Sequence, residues 1–214
     1  MPNSAVFFGR LSTVALLLVL SGCGSNGSIA SGKTSPTSAS PATETTTPTT
    51  SPKDSASSWV VLHDPASVQF SLPHRVAPQA RAGKDASVTA RLYQDKVGEI
   101  GLSVSVVQAG SAFPAAYPKS VYDQMVSGLT GQGATDAHLS DVAVATVAKG
   151  KALDATLSFT ATDGSRNYWR MRTITSGHTM VQLQVLTFSD PGDTEAPKQV
   201  DSMFALLVDT VTLG

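Results

Sequence analysis

Residues 24–58 are almost entirely Ser, Thr, Pro, Ala and Gly, with the run Thr45-Thr46-Thr47-Pro48-Thr49-Thr50. No aliphatic residue recurs there with a period. Such a segment cannot bury enough apolar surface to offset its conformational entropy. Everything that folds must therefore lie in residues 59–214, about 155 residues, which is enough for a proper core. The 35-residue stretch itself is expected to be a disordered tether with an r.m.s. reach of about 30–35 Å. Its Thr/Pro content also suits O-glycosylation, with an unmodified spacer as the alternative.

Ahead of the tether, residues 1–22 have the layout of a secretory signal peptide. Arg10 is the only positive charge, Val14 to Leu20 is nearly all aliphatic, and small residues follow. The apolar run is about 10 residues, against roughly 20 needed to span a hydrocarbon core. The segment Leu20-Ser21-Gly22-Cys23 resembles a bacterial lipobox, and Cys23 is the only cysteine of the chain. The resemblance implies a diacylglyceryl thioether on Cys23 and cleavage just before it. Two acyl chains give a stable anchor where one would not. The expected layout is a signal peptide over 1–22, a lipidated Cys23 with tether over 23–58, and one domain over 59–214. The expected address is the extracytoplasmic face of the cell membrane. A mature chain whose cysteine is acylated has no disulfides, so its stability must come from packing.

The formal net charge is −1, and loss of Arg10 with the leader makes it −2. No basic stripe or polybasic patch stands out, so neither nucleic acid nor anionic lipid is an expected partner.

Periodicity in 59–214 predicts strands, a helix, more strands and a closing helix. Trp59 to Leu62 reads as an entry strand, and Val68 to Leu72 alternates until Pro73. Val88, Ala90 and Leu92 share a face. Ile100, Leu102, Val104 and Val106 alternate with Gly101, Ser103, Ser105 and Val107, the pattern of a half-buried strand. Pro118 to Leu129 reads as a helix capped by Ser120, with Val121, Met125 and Leu129 on one stripe, ended by Gly131 and Gly133. Val142, Val144 and Thr146, then Leu153, Ala155, Leu157 and Phe159, alternate in two further strands. Asp163-Gly164 and Ser176-Gly177 mark tight turns, flanking a strand over 166–175 and preceding one through Val181, Leu183 and Val185. Val200, Met203, Phe204, Leu207, Val208 and Val211 make an amphipathic closing helix, with Thr194 as N-cap and Pro197 in its first turn. The fold class that follows is α+β: an antiparallel meander with both helices on one face, the C-terminal amphipathic helix closing it.

The order of these elements, with Asp64…Phe70-Ser71-Leu72-Pro73, the strand ending at Tyr93 and Ile100-Gly101-Leu102-Ser103-Val104, resembles the PsbP/Mog1/DcrB-type domain. His74-Arg75-Val76 stands where such domains usually carry Gly-Trp. Actinobacterial lipoproteins of the Lpq type combine a lipobox, a Ser/Thr/Pro tether and such a domain. The resemblance implies a non-catalytic accessory or partner-binding protein and carries over no catalytic residue.

The residues themselves spell no reaction. Neither Gly-x-Ser-x-Gly nor His-Glu-x-x-His occurs, and Gly128 to Gly133 has no lysine to make a phosphate loop. His63, His74, His138 and His178 are scattered without ligand spacing, so no metal and no cofactor is expected. Asp190-Pro191-Gly192-Asp193 reads as a turn, with calcium binding as the alternative. One cluster stands out. Strand alternation puts Tyr168, Arg170 and Arg172 on one face and Trp169 and Met171 on the core face. A solvated face with cross-strand ion pairs is the expected reading; the alternative is that the two guanidinium forks take an anionic ligand or an envelope protein. Tyr117 and Tyr122, flanking the helix entry, are expected to pack in the core or anchor a loop, with a contribution to a binding groove as the alternative. The functional expectation is a non-enzymatic binding module at the envelope. The alternatives are a lipid or glycolipid carrier, an envelope hydrolase and a structural envelope component.

Overall fold

The computed structural model describes residues 58–82, 87–189 and 193–214. The leader, the lipobox residues Leu20, Ser21, Gly22 and Cys23, the tether up to residue 57 and the first three residues of the 190–193 turn lie outside them.

The described chain runs β1 (Val60–Asp64), β2 (Val68–Leu72), β3 (Gln79–Ala82), β4 (Thr89–Val97), β5 (Ile100–Gln108), α1 (Tyr117–Gly131), β6 (Thr135–Ala145), β7 (Lys151–Thr160), β8 (Arg166–Ser176), β9 (Thr179–Ser189), α2 (Glu195–Asp209) and β10 (Thr212–Leu213). Seven strands form one antiparallel sheet in the order β3-β4-β5-β9-β8-β7-β6. It is two meanders, β3–β5 and β6–β9, joined where β5 pairs with β9. A small sheet, β1-β2-β10, makes a separate layer.

The α+β class and the antiparallel meanders are as expected. The placement of the helices is not: they cover opposite faces. On one face, Val121, Tyr122, Met125 and Leu129 of α1 pack with Leu92, Val107, Leu157, Phe159, Trp169, Met171 and Met180. On the other, Val200, Met203, Phe204 and Leu207 of α2 pack with Leu102, Val104, Ile174, Leu183 and Val185, and with Phe70 and Leu72 of the small sheet. The physical reason is the central pair β5–β9, which is buried on both sides. Ser103, Ser105 and Val107 are as buried as Leu102 and Val104, so β5 is not the half-buried strand its alternation suggested.

Other local expectations shift. Ser120 does not cap α1: its Oγ donates back to the Tyr117 carbonyl at 2.8 Å, and the cap position falls on Ala116 without a side-chain bond. Thr194 occupies the cap position of α2 but makes no cap bond. Asp193 does that work, its Oδ1 accepting from the Glu195 and Ala196 amides at 2.9 and 3.1 Å. Val142 and Val144 are exposed, because β6 is an edge of the large sheet. Asp136 and Asp141 both take positive φ beside the two register shifts of β6, so its ladder is broken twice. Bulges of this kind blunt an edge against further pairing. At Gly150 (φ +89°) a Cβ would lie 2.3 Å from the Thr175 carbonyl oxygen, so only glycine fits that turn.

Candidate functional site

The α2-facing side of β7 and β8 carries the predicted cluster. Cross-strand register sets Asp154 beside Arg172, Thr156 beside Arg170, Ser158 beside Tyr168 and Thr160 beside Arg166. The two strands thus present matched polar pairs next to the apolar seat of α2. Tyr168, Arg170 and Arg172 do share this face, while Trp169 and Met171 are buried on the other.

Each member of the cluster has a partner within the chain. Arg172 grips Asp154 with both forks, Nε to Oδ1 at 2.6 Å and Nη2 to Oδ2 at 2.8 Å. The Asp154 carboxylate beside it raises the Arg172 guanidinium above its ordinary value. Arg170 Nη1 donates to Thr156 Oγ1 at 2.7 Å, and that hydroxyl donates to Asp141 Oδ2 at 2.9 Å. Arg170 Nε lies 3.5 Å from Asp201 Oδ1, too poorly aligned for a hydrogen bond, and its guanidinium carbon stands 5.4 Å over the Phe204 ring. Tyr168 donates its hydroxyl to Asp201 Oδ1 at 3.2 Å. Burial raises the Tyr168 phenol, and the Asp201 charge raises it further. The arginines therefore tie the sheet to α2 and to the bulged edge strand.

Beyond Tyr168 the face opens into a cleft of roughly 180 Å³, floored by Ser158, Thr160, Arg166 and Tyr168 and walled by Asp136, Asp193 and Pro197. Arg166 is exposed, with no hydrogen bond or ion pair among the described residues. Sequence reasoning passed over Arg166, although its even position in the strand places it in file with Tyr168, Arg170 and Arg172.

A second cluster was not foreseen. Asp64 of β1 is fully buried at its carboxylate. Arg91 of β4 donates Nε and Nη2 to its two oxygens, each at 2.7 Å; Tyr93 donates its hydroxyl at 2.8 Å and the Ala66 amide donates at 2.8 Å. Burial by itself pushes the Asp64 carboxyl up, but the Arg91, Ala66 and Tyr93 donors together hold it below its ordinary value. Burial, with the bond to Asp64, pushes the Tyr93 phenol up. This clasp docks the small sheet onto the large one. The only signal available was an Asp in a strand facing an alternate Arg-x-Tyr.

Of the remaining residues, Tyr122 is a core anchor, donating to the Leu153 carbonyl at 2.6 Å, and burial raises its phenol. Tyr117 packs against Phe113 with ring centroids 4.9 Å apart. His74 bonds Asp95 at 2.8 Å on the surface. Among the described residues no three His, Cys, Asp or Glu side chains come together in a way that could hold a metal ion.

No family model matches the chain, and no curated protein matches it. Among solved structures it is similar to LpqN, described as involved in cell envelope biogenesis of Mycobacterium tuberculosis. The TM-score is 0.40 and the identity 13%, over 72% of this chain and 88% of that one. A likeness of that degree bears on neither partner nor ligand.

Proposed function

We propose that the chain is a lipoprotein of the Lpq type, held by Cys23 at the extracytoplasmic face of the cell membrane, whose PsbP/Mog1-like domain is a non-catalytic binding module of the envelope. The observation that carries this reading is the short apolar leader ending in Leu20-Ser21-Gly22-Cys23, followed by a 35-residue stretch rich in Ser, Thr and Pro. No helix among the described residues is long and apolar enough to cross a membrane. The binding surface we assign is the face of Tyr168, Arg170 and Arg172 extended through Arg166 into the cleft. Because Arg170 and Arg172 are already paired with three carboxylates, Asp154, Asp141 and Asp201, a protein with mixed charge suits this surface better than a simple anion. The carrier reading asks for apolar space between sheet and helix; the side chains of Trp169, Tyr122, Met171 and Leu207 fill the two layers, which favours the module.

The test is crosslinking of the lipidated protein in its native envelope, with mass spectrometry of protein and lipid adducts. A defined protein partner crosslinked through residues 136–168 is the expected result. Lipid adducts alone, lost on delipidation of the domain, would replace the module with the carrier.

A further inference from the structure

Six neighbouring side chains on the α1-facing side of the sheet make an uncharged polar floor. Register sets Gln94 beside Ser103, Ser103 beside Gln184, Ser105 beside Gln182, and Gln182 beside Thr173. Ser103, Ser105, Thr173, Gln182 and Gln184 are all buried. No ionisable side chain belongs to this patch. Five buried polar side-chain atoms on this side have no hydrogen-bond partner among the described residues: Gln94 Nε2, Ser105 Oγ, Asn167 Oδ1, Trp169 Nε1 and Thr173 Oγ1. Strand alternation puts all five on this one face. A buried polar atom without a protein partner gives up bonds to bulk water for none within the fold, so each works against closure of the layer.

The cover over this floor is weak in itself. Helix α1 has no side-chain N-cap bond, no acidic residue in its first turn and no basic residue in its last. Gly128 sits in its interior, the costliest non-proline choice there. Its side-chain hydrogen bonds to the sheet are a strong one at the β7 side, Tyr122 to the Leu153 carbonyl at 2.6 Å, and a weak one at the floor, Gln182 Nε2 to the Met125 thioether at 3.4 Å, sulfur being a poor acceptor. Either end offers a pivot. The entry loop is tied to the β8–β9 turn by the Phe113 amide on the Gly177 carbonyl and the Ala109 amide on the His178 carbonyl. The exit passes through Gly133 at φ +89°.

We propose that α1 is a hinged cover that lifts from the sheet as a unit, wetting the polar floor, while α2 and the small sheet stay closed. This concerns the opposite side of the sheet from the Arg166–Arg172 face and stands or falls independently of the function proposed for that face.

Residue-resolved hydrogen exchange on the full-length chain, without denaturant, tests it. Amides of Tyr117–Gly131 are expected to exchange roughly 100-fold faster than those of Val200–Leu207, as a sub-global unit. Ser105→Ala removes one unpartnered hydroxyl from the closed state and is expected to slow α1 exchange about five- to tenfold. The proposal is overturned if α1 amides exchange at the rate of α2, or if Ser105→Ala leaves the α1 rate unchanged.

Discussion

Asp64 and Ser105 are buried to the same degree on opposite sides of one sheet. The Asp64 carboxylate receives four hydrogen bonds, from Arg91, Tyr93 and Ala66. The Ser105 hydroxyl has no hydrogen-bond partner among the described residues. Asp64 borders the apolar seat of a helix whose first amides are capped by Asp193, and the arginines farther along that face are paired with carboxylates. Around Ser105 the floor is serine, threonine and glutamine under a helix with no side-chain cap. Polarity alone does not distinguish a rigid layer from a loose one, since the charged group is the better accommodated of the two. What decides is whether each buried donor and acceptor finds a partner.

The sharpest way to break this contrast is to truncate one anchor on each face. Phe204→Ala, which empties the seat of α2, is expected to cost about 3–5 kcal/mol. Met125→Ala, under α1, should fall at the low end for a buried methionine, about 2 kcal/mol, because that layer is already poorly satisfied. Urea unfolding measures both, and equal losses would erase the distinction. Breaking the clasp comes next. Asp64→Asn leaves the Arg91 charge without its partner and is expected to cost about 3 kcal/mol. The pH dependence has a definite sign. Since the folded Asp64 carboxyl lies below its unfolded value, its stabilisation is present above about pH 4 and is lost as pH falls through the folded value. Asp64→Asn should therefore flatten the acid limb of the stability curve; an unchanged limb would mean other carboxylates govern it. A smaller effect is expected at Arg172→Lys, about 1 kcal/mol, because an ammonium cannot reproduce the two-pronged grip on Asp154. Smallest of all, Val144→Thr on the bulged edge should stay within about 0.5 kcal/mol, since that side chain is 87% exposed.

Much of this fold was legible because apolar period and turn chemistry are local. Val68–Leu72, the alternation from Leu153 to Phe159, the Asp163-Gly164 turn and the stripe from Val200 to Leu207 all appear where their spacing put them. Which face each helix covers was not legible. The face of β5 bearing Ser103 and Ser105 looks like a solvent face in one dimension and becomes interior only when β9 pairs beside it. The same limit hid β3, four residues long, and β10, two residues long, since neither carries a usable period. The file of Tyr168, Arg170 and Arg172 was correctly placed on one face. Its acidic partners were hidden because Asp141, Asp154 and Asp201 come from three other elements. The Asp64–Arg91–Tyr93 clasp was hidden for the same reason, its charges lying 27 positions apart.

The claim on which the functional account rests is chemical and sits at Cys23. Intact mass and N-terminal analysis of the protein extracted from membranes test it most directly. The expected result is a mature chain that begins at Cys23, carries a diacylglyceryl thioether and moves to the soluble fraction in Cys23→Ala. A membrane-bound chain with an unmodified Cys23, or a Cys23→Ala variant that still fractionates with membranes, would contradict it.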